Sequence, residues 1–220
     1  MDRNKLQQII DSAPDFEIRK ILDKGWEMFK AKPLFHIGFL VIIVGLQAIF
    51  NAAFEEFLFI YTIFLAPPFV VGFYLIANRI SLGDYFDFQD YFGGFKFWLP
   101  VVVTNLLTSL FTVIGIILLL IPGIYLGVSY MFSLLFVIFG GFDFWESMEF
   151  SRKLVTANWW RFFAFILVLF LLNVAGLIFF IVGVFVTLPV TYLSVYALFE
   201  QLTESAATGS SEGETPSIHS

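Results

Sequence analysis

The longest charge-free stretch of the chain, from Phe97 to Phe142, constrains its fold more than any other feature. A helix needs about 20 residues to cross the hydrocarbon of a bilayer, so this stretch is long enough for two crossings. Pro122 and Gly123 lie near its middle, and a proline followed by a glycine both ends a helix and favours a turn. The sequence therefore predicts a helical hairpin in a membrane, with its turn at Pro122 and Gly123.

Two further hairpins are predicted on either side of this one. Spans one and two are expected at residues 33–50 and 57–78, with an interruption at Pro67-Pro68, and spans five and six fall in the charge-free run 162–199. Only 14% of the residues are charged, against about 25% in soluble domains. The predicted fold class is therefore an all-α polytopic membrane protein with six transmembrane helices arranged as three hairpins.

An amphipathic segment precedes each predicted hairpin. The first is expected to begin with Ser12 as a helix cap, the second occupies residues 79–96, and the third begins at Asp143 with Glu146 completing a capping box. Helices with one apolar and one charged face lie along a membrane surface. The predicted domains are a surface segment at 1–32, a six-span domain at 33–202 and a disordered polar tail at 203–220.

Each returning span also carries a proline that is followed five residues later by a small residue. These small residues are Gly72, Gly127 and Ser194. Because apolar burial does not drive helix association inside lipid, small residues mark places where helix backbones approach closely. We therefore predict a close helix contact at each of the three positions.

The positive charges predict the orientation of the chain. All 12 Lys and Arg residues lie before span one, between spans two and three, or between spans four and five. The three hairpin tips and the tail contain none, and basic loops remain on the cytoplasmic side of a membrane. We therefore expect a multi-pass protein of the inner (cytoplasmic) membrane with both termini in the cytoplasm.

The distribution of ionisable residues argues against catalysis and ion coupling. No predicted span contains Asp, Glu, Lys or Arg, whereas coupled transporters and intramembrane enzymes usually place such a group inside the bilayer. The chain has no cysteine, and its two histidines, His36 and His219, are far apart in sequence. We therefore expect no catalytic residue, no metal, no cofactor and no nucleic-acid partner. His36, at the mouth of span one, is interpreted as an interfacial residue.

Basic and aromatic residues gather on the predicted cytoplasmic face. They either hold anionic lipid headgroups between the surface helices or only anchor and orient the spans. Inside the membrane, Asn105 and Asn173 either form hydrogen bonds between helices or line a solute path. The candidate headgroup and interface residues are Trp26, Lys30, Lys32, Lys96, Trp98, Arg152, Lys153, Trp159, Trp160 and Arg161.

Two functions are compatible with this pattern. The favoured hypothesis is a non-catalytic, lipid-facing scaffold or accessory protein whose partners are membrane lipids and a second membrane protein. The alternative is a carrier or channel for an apolar or lipid-like solute. Transport predicts a cavity that reaches the middle of the bilayer and is lined by Asn and Thr side chains, whereas a scaffold predicts a bundle closed by Gly and Phe packing.

Several stretches of the chain resemble a bacterial membrane-domain family. They are Gly25-Trp26-Glu27-Met28-Phe29-Lys30, Tyr91-Phe92-Gly93-Gly94-Phe95, Ile121-Pro122-Gly123-Ile124-Tyr125-Leu126 and the run from Phe144 to Trp160. The chain resembles, over about residues 16–202, the membrane domain of bacterial glycerophosphodiester phosphodiesterases and related stand-alone, uncharacterised integral membrane proteins. This resemblance implies a six-helix membrane module. The soluble, metal-containing phosphodiesterase barrel of such fusions has no counterpart in these 220 residues, so no catalytic activity or residue is carried over.

Overall fold

The computed structural model describes residues 3–178 and 183–209, and these residues form helices and no strand. Two short helices come first, six long ones follow as three hairpins, and one amphipathic helix separates the second hairpin from the third. The helices are α1 (Arg3–Asp11), α2 (Ile18–Ala31), α3 (Pro33–Ala53), α4 (Glu55–Ser81), α5 (Phe88–Leu118), α6 (Leu120–Gly140), α7 (Phe144–Ala157), α8 (Trp159–Ile178) and α9 (Val184–Gly209).

Six of these helices are long and apolar enough to cross a membrane: α3, α4, α5, α6, α8 and α9. Each is at least 20 residues long, which matches the thickness of the hydrocarbon layer. The predicted all-α polytopic fold is therefore confirmed, and the chain is a multi-pass membrane protein. The side on which α1, α2, α7 and the start of α5 lie is called here the surface-helix side.

The returning helix of each hairpin lies in the centre of the bundle and the outgoing helix lies outside. Over their most apolar 18 residues, α4, α6 and α9 are 50%, 44% and 56% buried, whereas α3, α5 and α8 are 17%, 22% and 22% buried. The outer helices therefore present most of their surface to lipid. The central core is aromatic, and its buried rings include Phe132, Phe136, Phe162, Phe165 and Phe199 in one cluster and Phe39, Phe69, Phe73 and Tyr91 in the other.

Each returning helix packs against the amphipathic segment that precedes the next hairpin, and the third returning helix packs against the segment that precedes the first hairpin. Helix α4 packs on the start of α5, α6 packs on α7, and α9 packs on α2. A side chain at Gly25 of α2 would overlap Ser194 of α9, whose Cα lies 3.0 Å from the position of the missing Cβ. The contact between α2 and α9 therefore joins the first hairpin unit to the third, so that the three units form a closed ring.

The second amphipathic segment is a 3-10 helix, Phe88–Phe97, that continues into the α-helical part of α5. Asp87 and Asp90 form a capping box at its start, since each carboxylate accepts a backbone N–H of the other residue. The segment lies against α4 with almost no space between the two backbones. A side chain at Gly72 would overlap the Tyr91 carbonyl oxygen, and one at Gly94 would overlap the Pro68 carbonyl oxygen.

The predicted close contacts at small residues are confirmed at Gly72 and Ser194 but not at Gly127. The position of a Cβ on Gly127 lies 3.5 Å from the nearest atom, on Thr112, which is ordinary van der Waals contact. The backbone approach within this hairpin occurs instead at Gly123, where a side chain would overlap Ile116. Sequence position relative to a proline therefore identified two of the three contacts.

The turn of the central hairpin lies before Pro122, not at Pro122-Gly123. Leu119 is the extended residue between the two helices, with φ −160° and ψ 136°, and α6 begins at Leu120. A proline is accepted in the first turn of a helix because its missing N–H would have no partner there. Pro122 therefore lies in the first turn of the returning helix, and Gly123 lets that helix lie against the outgoing one.

The predicted helix start at Ser12 is wrong. Helix α1 ends at Asp11, Ser12 donates its hydroxyl to the Ile9 carbonyl at 2.8 Å, and Ala13 has a positive φ of 46°. Leu6 and Ile9 are buried, so the residues before Ser12 form a short amphipathic helix of their own. The third predicted start is confirmed at Asp143, which accepts the Glu146 backbone N–H at 2.8 Å. The predicted capping box is not completed, since the Glu146 carboxylate instead pairs with Arg3 at 2.6 Å.

The last helix extends further than predicted. Helix α9 continues to Gly209, so residues 203–209 of the predicted disordered tail are helical. The rest of that tail, residues 210–220, lies outside the described residues.

Helix α6 is interrupted by a turn, and a serine of α7 connects its two halves. The turn occupies residues 130–132, so the backbone groups on either side lose their helical partners. The Ser151 hydroxyl donates to the Ser129 carbonyl at 2.7 Å and accepts the Phe132 N–H at 3.1 Å. Since Ser151 is fully buried, water does not replace these contacts.

Ser151→Ala is expected to lower the free energy of unfolding by about 1–2 kcal/mol, because it leaves two buried backbone groups without a partner. Ser147 provides a matched control, since it lies one turn earlier on α7, is equally buried and has a hydroxyl without a hydrogen-bond partner among the described residues. Ser147→Ala should leave stability unchanged. The free energy of unfolding of both variants is measured in mixed detergent micelles. Equal stabilities for the two variants would contradict this role for Ser151.

Candidate lipid-headgroup site

Most of the predicted headgroup-binding cations are occupied within the protein. Lys30 pairs with Glu27 at 2.6 Å, and Lys32 donates to the Phe86 carbonyl. Arg161 pairs with Asp15 at 2.9 Å and also donates to the Phe16 carbonyl, which ties the linker before α2 to the start of α8. Lys32 and Arg161 thus hold surface segments in place, whereas the Lys30 pair lies within α2.

The cations of α7 share one carboxylate. Arg152 and Lys153 lie 2.8 and 3.5 Å from the Glu149 carboxylate, and the pairing of Glu149 with Lys153 follows the favourable i, i+4 order. Hydrogen bonding from Arg152 lowers the pKa of Glu149, and hydrogen bonding from Glu149 raises the pKa of Arg152. This cluster is therefore ionised, and both of its cations are paired with the one carboxylate, which leaves a net charge of +1.

Lys96 differs from the other candidate cations. Its ammonium group makes no ion pair and no hydrogen bond within the described parts of the chain. Among residues 3–178 and 183–209, Lys5 on α1 is the one other lysine or arginine whose side chain makes neither an ion pair nor a hydrogen bond. Lys96 lies at the end of the 3-10 segment of α5, immediately before the long charge-free run.

Lys96 lines a cavity of about 490 Å³ between the end of α4 and the 3-10 segment of α5, named here the α4–α5 pocket. Its volume lies in the range of about 300–1,000 Å³ that is usual for small-ligand sites. The pocket combines an apolar wall with charged and amide groups. Lining residues include Leu75, Asn78, Arg79, Asp90, Phe92 and Lys96.

The α4–α5 pocket is connected to α2 by a chain of polar groups that crosses the bundle. Asn78 donates its amide to the Tyr196 hydroxyl at 2.7 Å, and that hydroxyl donates to Glu200 at 3.2 Å. Glu200 is 7% exposed and pairs with Lys24 of α2 at 2.6 Å. In the sequence, Glu200 directly follows the charge-free run 162–199, and no motif indicates a role for it. The length of α9 is what brings it into the protein interior.

Four of the five tryptophans are exposed on the surface-helix side, as an interface position requires, and one of them is Trp145 of α7, which is 58% exposed. Trp26 is 44% exposed and stacks on Phe29, and Trp160 is 76% exposed at the start of α8. Trp98 is also exposed, and its indole N–H donates to the Phe64 carbonyl at 2.8 Å. Trp159 is partly buried, and its ring stacks on Phe163.

His36 is a core residue, which corrects its interpretation as an interfacial one. The side chain is fully buried, and its Nδ1 lies 2.7 Å from the Tyr91 hydroxyl. Its Nε2 lies 3.3 Å from the Met28 carbonyl, which only accepts hydrogen bonds, so Nε2 carries the proton and Nδ1 accepts from Tyr91. A single neutral imidazole thus joins α2, α3 and the 3-10 segment of α5.

The two intramembrane asparagines have different surroundings. Asn173 of α8 donates its amide to the Leu169 carbonyl at 2.8 Å and to the Thr191 hydroxyl of α9 at 2.7 Å, so it links the two helices of the third hairpin. Asn105 of α5 is partly buried, and its backbone carbonyl accepts the Thr108 hydroxyl at 3.1 Å. The two asparagines belong to different hairpins, and neither lines the α4–α5 pocket.

Comparison with models of known protein families, with curated proteins and with solved structures finds no match. The resemblance to the phosphodiesterase-associated membrane domains therefore remains a prediction. Among the described residues, no group of three or more His, Cys, Asp or Glu side chains is placed to hold a metal ion.

Proposed function

We propose that this protein is a non-catalytic scaffold or accessory protein of the bacterial inner membrane, whose outer helices contact lipid and whose surface helices face the cytoplasm. Its partners would be membrane lipids and a second membrane protein. The placement of the bases on the surface-helix side supports this orientation, since basic segments remain in the cytoplasm.

The single observation that carries the proposal is the closed aromatic core. Phe132 and Phe136 of α6 are fully buried, and their ring centroids lie 5.9 and 5.2 Å from that of Phe199 on α9. Rings at this separation are in direct contact. The central helices, between which a solute path would run, are therefore packed against each other.

The hydrogen bonds of the Asn173 amide also favour a scaffold over a carrier. A solute path lined by this amide would require it to face open space, whereas both of its contacts are to protein groups of α8 and α9. Hydrogen bonds of this kind contribute about 0.6 kcal/mol each to helix association in a membrane. The N–H groups of the Asn173 amide are thereby explained as part of the packing, whereas its buried Oδ1 has no hydrogen-bond partner among the described residues.

Lipid movement across vesicle membranes tests the proposal against the carrier alternative. Vesicles containing the purified protein and a fluorescent phospholipid are treated with a membrane-impermeant quencher. If the protein is a scaffold, the quenched fraction should equal that of protein-free vesicles, about half, because only the outer leaflet is reached. Quenching that rises with the amount of protein would contradict the scaffold proposal and support a lipid carrier.

A further inference from the structure

We propose that the α4–α5 pocket binds the phosphate group of an anionic phospholipid, with Lys96 and Arg79 as its cationic contacts. This inference rests on the proposed lipid-facing function, and it identifies the ligand class and the site.

The charges in the pocket leave one positive charge uncompensated. Arg79 and Lys96 contribute two positive charges and Asp90 contributes one negative charge. The Asp90 carboxylate already accepts the Asp87 N–H at 2.8 Å and an Arg79 N–H at 3.3 Å. It is therefore held by the start of the 3-10 segment and by Arg79, whereas Lys96 has no counter-charge within the described residues. A phosphate oxygen would supply one.

Arg79 is held in position and still has donors to offer. Its Nη1 donates to the Tyr85 carbonyl at 3.2 Å and to Asp90 at 3.3 Å, which fixes the plane of the guanidinium. A guanidinium carries five N–H donors, and the groups on Nε and Nη2 make no hydrogen bond within the described residues. Those donors form a fork that matches the oxygens of a phosphate group.

The depth of the pocket and its apolar wall favour a lipid over a soluble phosphate. Arg79 lies in the last turn of α4, and Lys96 follows Gly94, which packs on Pro68 in the middle of α4, so the pocket extends from the end of α4 toward the middle of that helix. Leu75 and Phe92 form the apolar wall, and Leu99, one helical turn beyond Lys96, is 63% exposed. A phosphate held by the two cations would have an acyl chain beside this wall.

The site is tested by counting the lipids that remain bound to the protein when it is released from nanodiscs into a mass spectrometer. The nanodiscs contain phosphatidylglycerol and phosphatidylcholine in equal amounts. We expect the wild-type protein to retain one phosphatidylglycerol in preference to phosphatidylcholine. Lys96→Gln should weaken this retention about tenfold, because it removes a charge-assisted contact. Lys96→Arg should stay within about twofold of wild type.

Lys5→Gln is the matched control, since Lys5 also lacks an ion pair among the described residues and lies outside the pocket. Equal lipid retention by Lys96→Gln and Lys5→Gln would overturn the site, as would a wild-type protein without preference between the two lipids. In a second arm, glycerol phosphate is added to nanodiscs of phosphatidylcholine alone. Binding there that Lys96→Gln abolishes would assign the pocket to a soluble phosphate and overturn the lipid assignment.

The outcome of this lipid-retention experiment does not depend on the outcome of the vesicle assay. Loss of the phosphatidylglycerol preference would remove the pocket's proposed ligand while leaving the scaffold proposal intact. Protein-dependent lipid movement would contradict the scaffold proposal whatever lipid the pocket holds.

Discussion

Gly94→Ala is expected to lower the free energy of unfolding by about 3 kcal/mol or more. The added methyl group would overlap the backbone carbonyl oxygen of Pro68 and lie 3.1 Å from Cβ of Val71. Because a carbonyl in a helix cannot move without displacing its neighbours, the 3-10 segment of α5 would have to separate from α4, and overpacking of this kind costs about 1–3 kcal/mol or more. Unfolding in mixed detergent micelles gives the measured value.

The adjacent glycine provides the control for this prediction. A side chain at Gly93 would meet only the end of the Leu75 side chain, at 3.1 Å, and that side chain can rotate away. Gly93→Ala should therefore change stability by less than about 1 kcal/mol. If Gly94→Ala were as stable as Gly93→Ala, the described contact between the two backbones would be wrong.

Lys24→Met should lower the free energy of unfolding by about 2–3 kcal/mol, because it leaves the buried Glu200 carboxylate without its partner. Removing one member of a buried pair costs about 3–5 kcal/mol, and the Lys24 side chain is 41% exposed, which reduces the effect. Lys20→Met is the control, since Lys20 pairs with Glu17 at the exposed surface and such pairs contribute about 0–1 kcal/mol.

Combining Lys24→Met with Glu200→Gln should recover much of the lost stability. The amide of the new glutamine carries no charge and still accepts the Tyr196 hydroxyl, so the penalty for an unpaired buried charge disappears. The four proteins of this double-mutant cycle are compared by unfolding in the same micelles. Additive losses in the double variant would show that Lys24 and Glu200 are not coupled.

The number and position of the spans could be predicted because lipid imposes a simple requirement. A helix that crosses hydrocarbon excludes charge over about 20 residues, and that requirement is visible in the run from Phe97 to Phe142 without any knowledge of packing. The Asp143 cap was likewise predictable, since it satisfies backbone groups within its own first turn.

Features that depend on contacts distant in sequence could not be predicted. The role of Pro122 depends on Gly123 lying against Ile116, and the burial of His36 depends on Tyr91 being placed beside it by the 3-10 segment. Ser12 matched a helix-cap pattern, but the burial of Leu6 and Ile9 makes the preceding residues a helix instead. The local amino-acid sequence does not indicate these tertiary contacts.

The candidate site was only partly visible in the sequence. Lys96 belonged to the predicted group of headgroup-binding residues, but the sequence could not separate it from Lys30 or Arg152, whose partners are Glu27 and Glu149. Arg79 carried no signal of its own, because its position beside Lys96 results from the packing of α4 on α5. Lys32 and Arg161 also precede charge-free runs and have no acidic residue three or four positions away, so the local sequence does not distinguish Lys96 from them.

The closure of the ring by α2 and α9 determines the order in which the protein is completed during its synthesis. Gly25 and Lys24 leave the ribosome early, whereas Ser194 and Glu200 of α9 follow about 170 residues later. Since chains are made from the N-terminus at about 5–20 residues per second, α2 waits many seconds for its binding partner. During that interval its apolar face must rest on the bilayer or on a chaperone, so synthesis and insertion of α9 are the steps that allow α2 to dock.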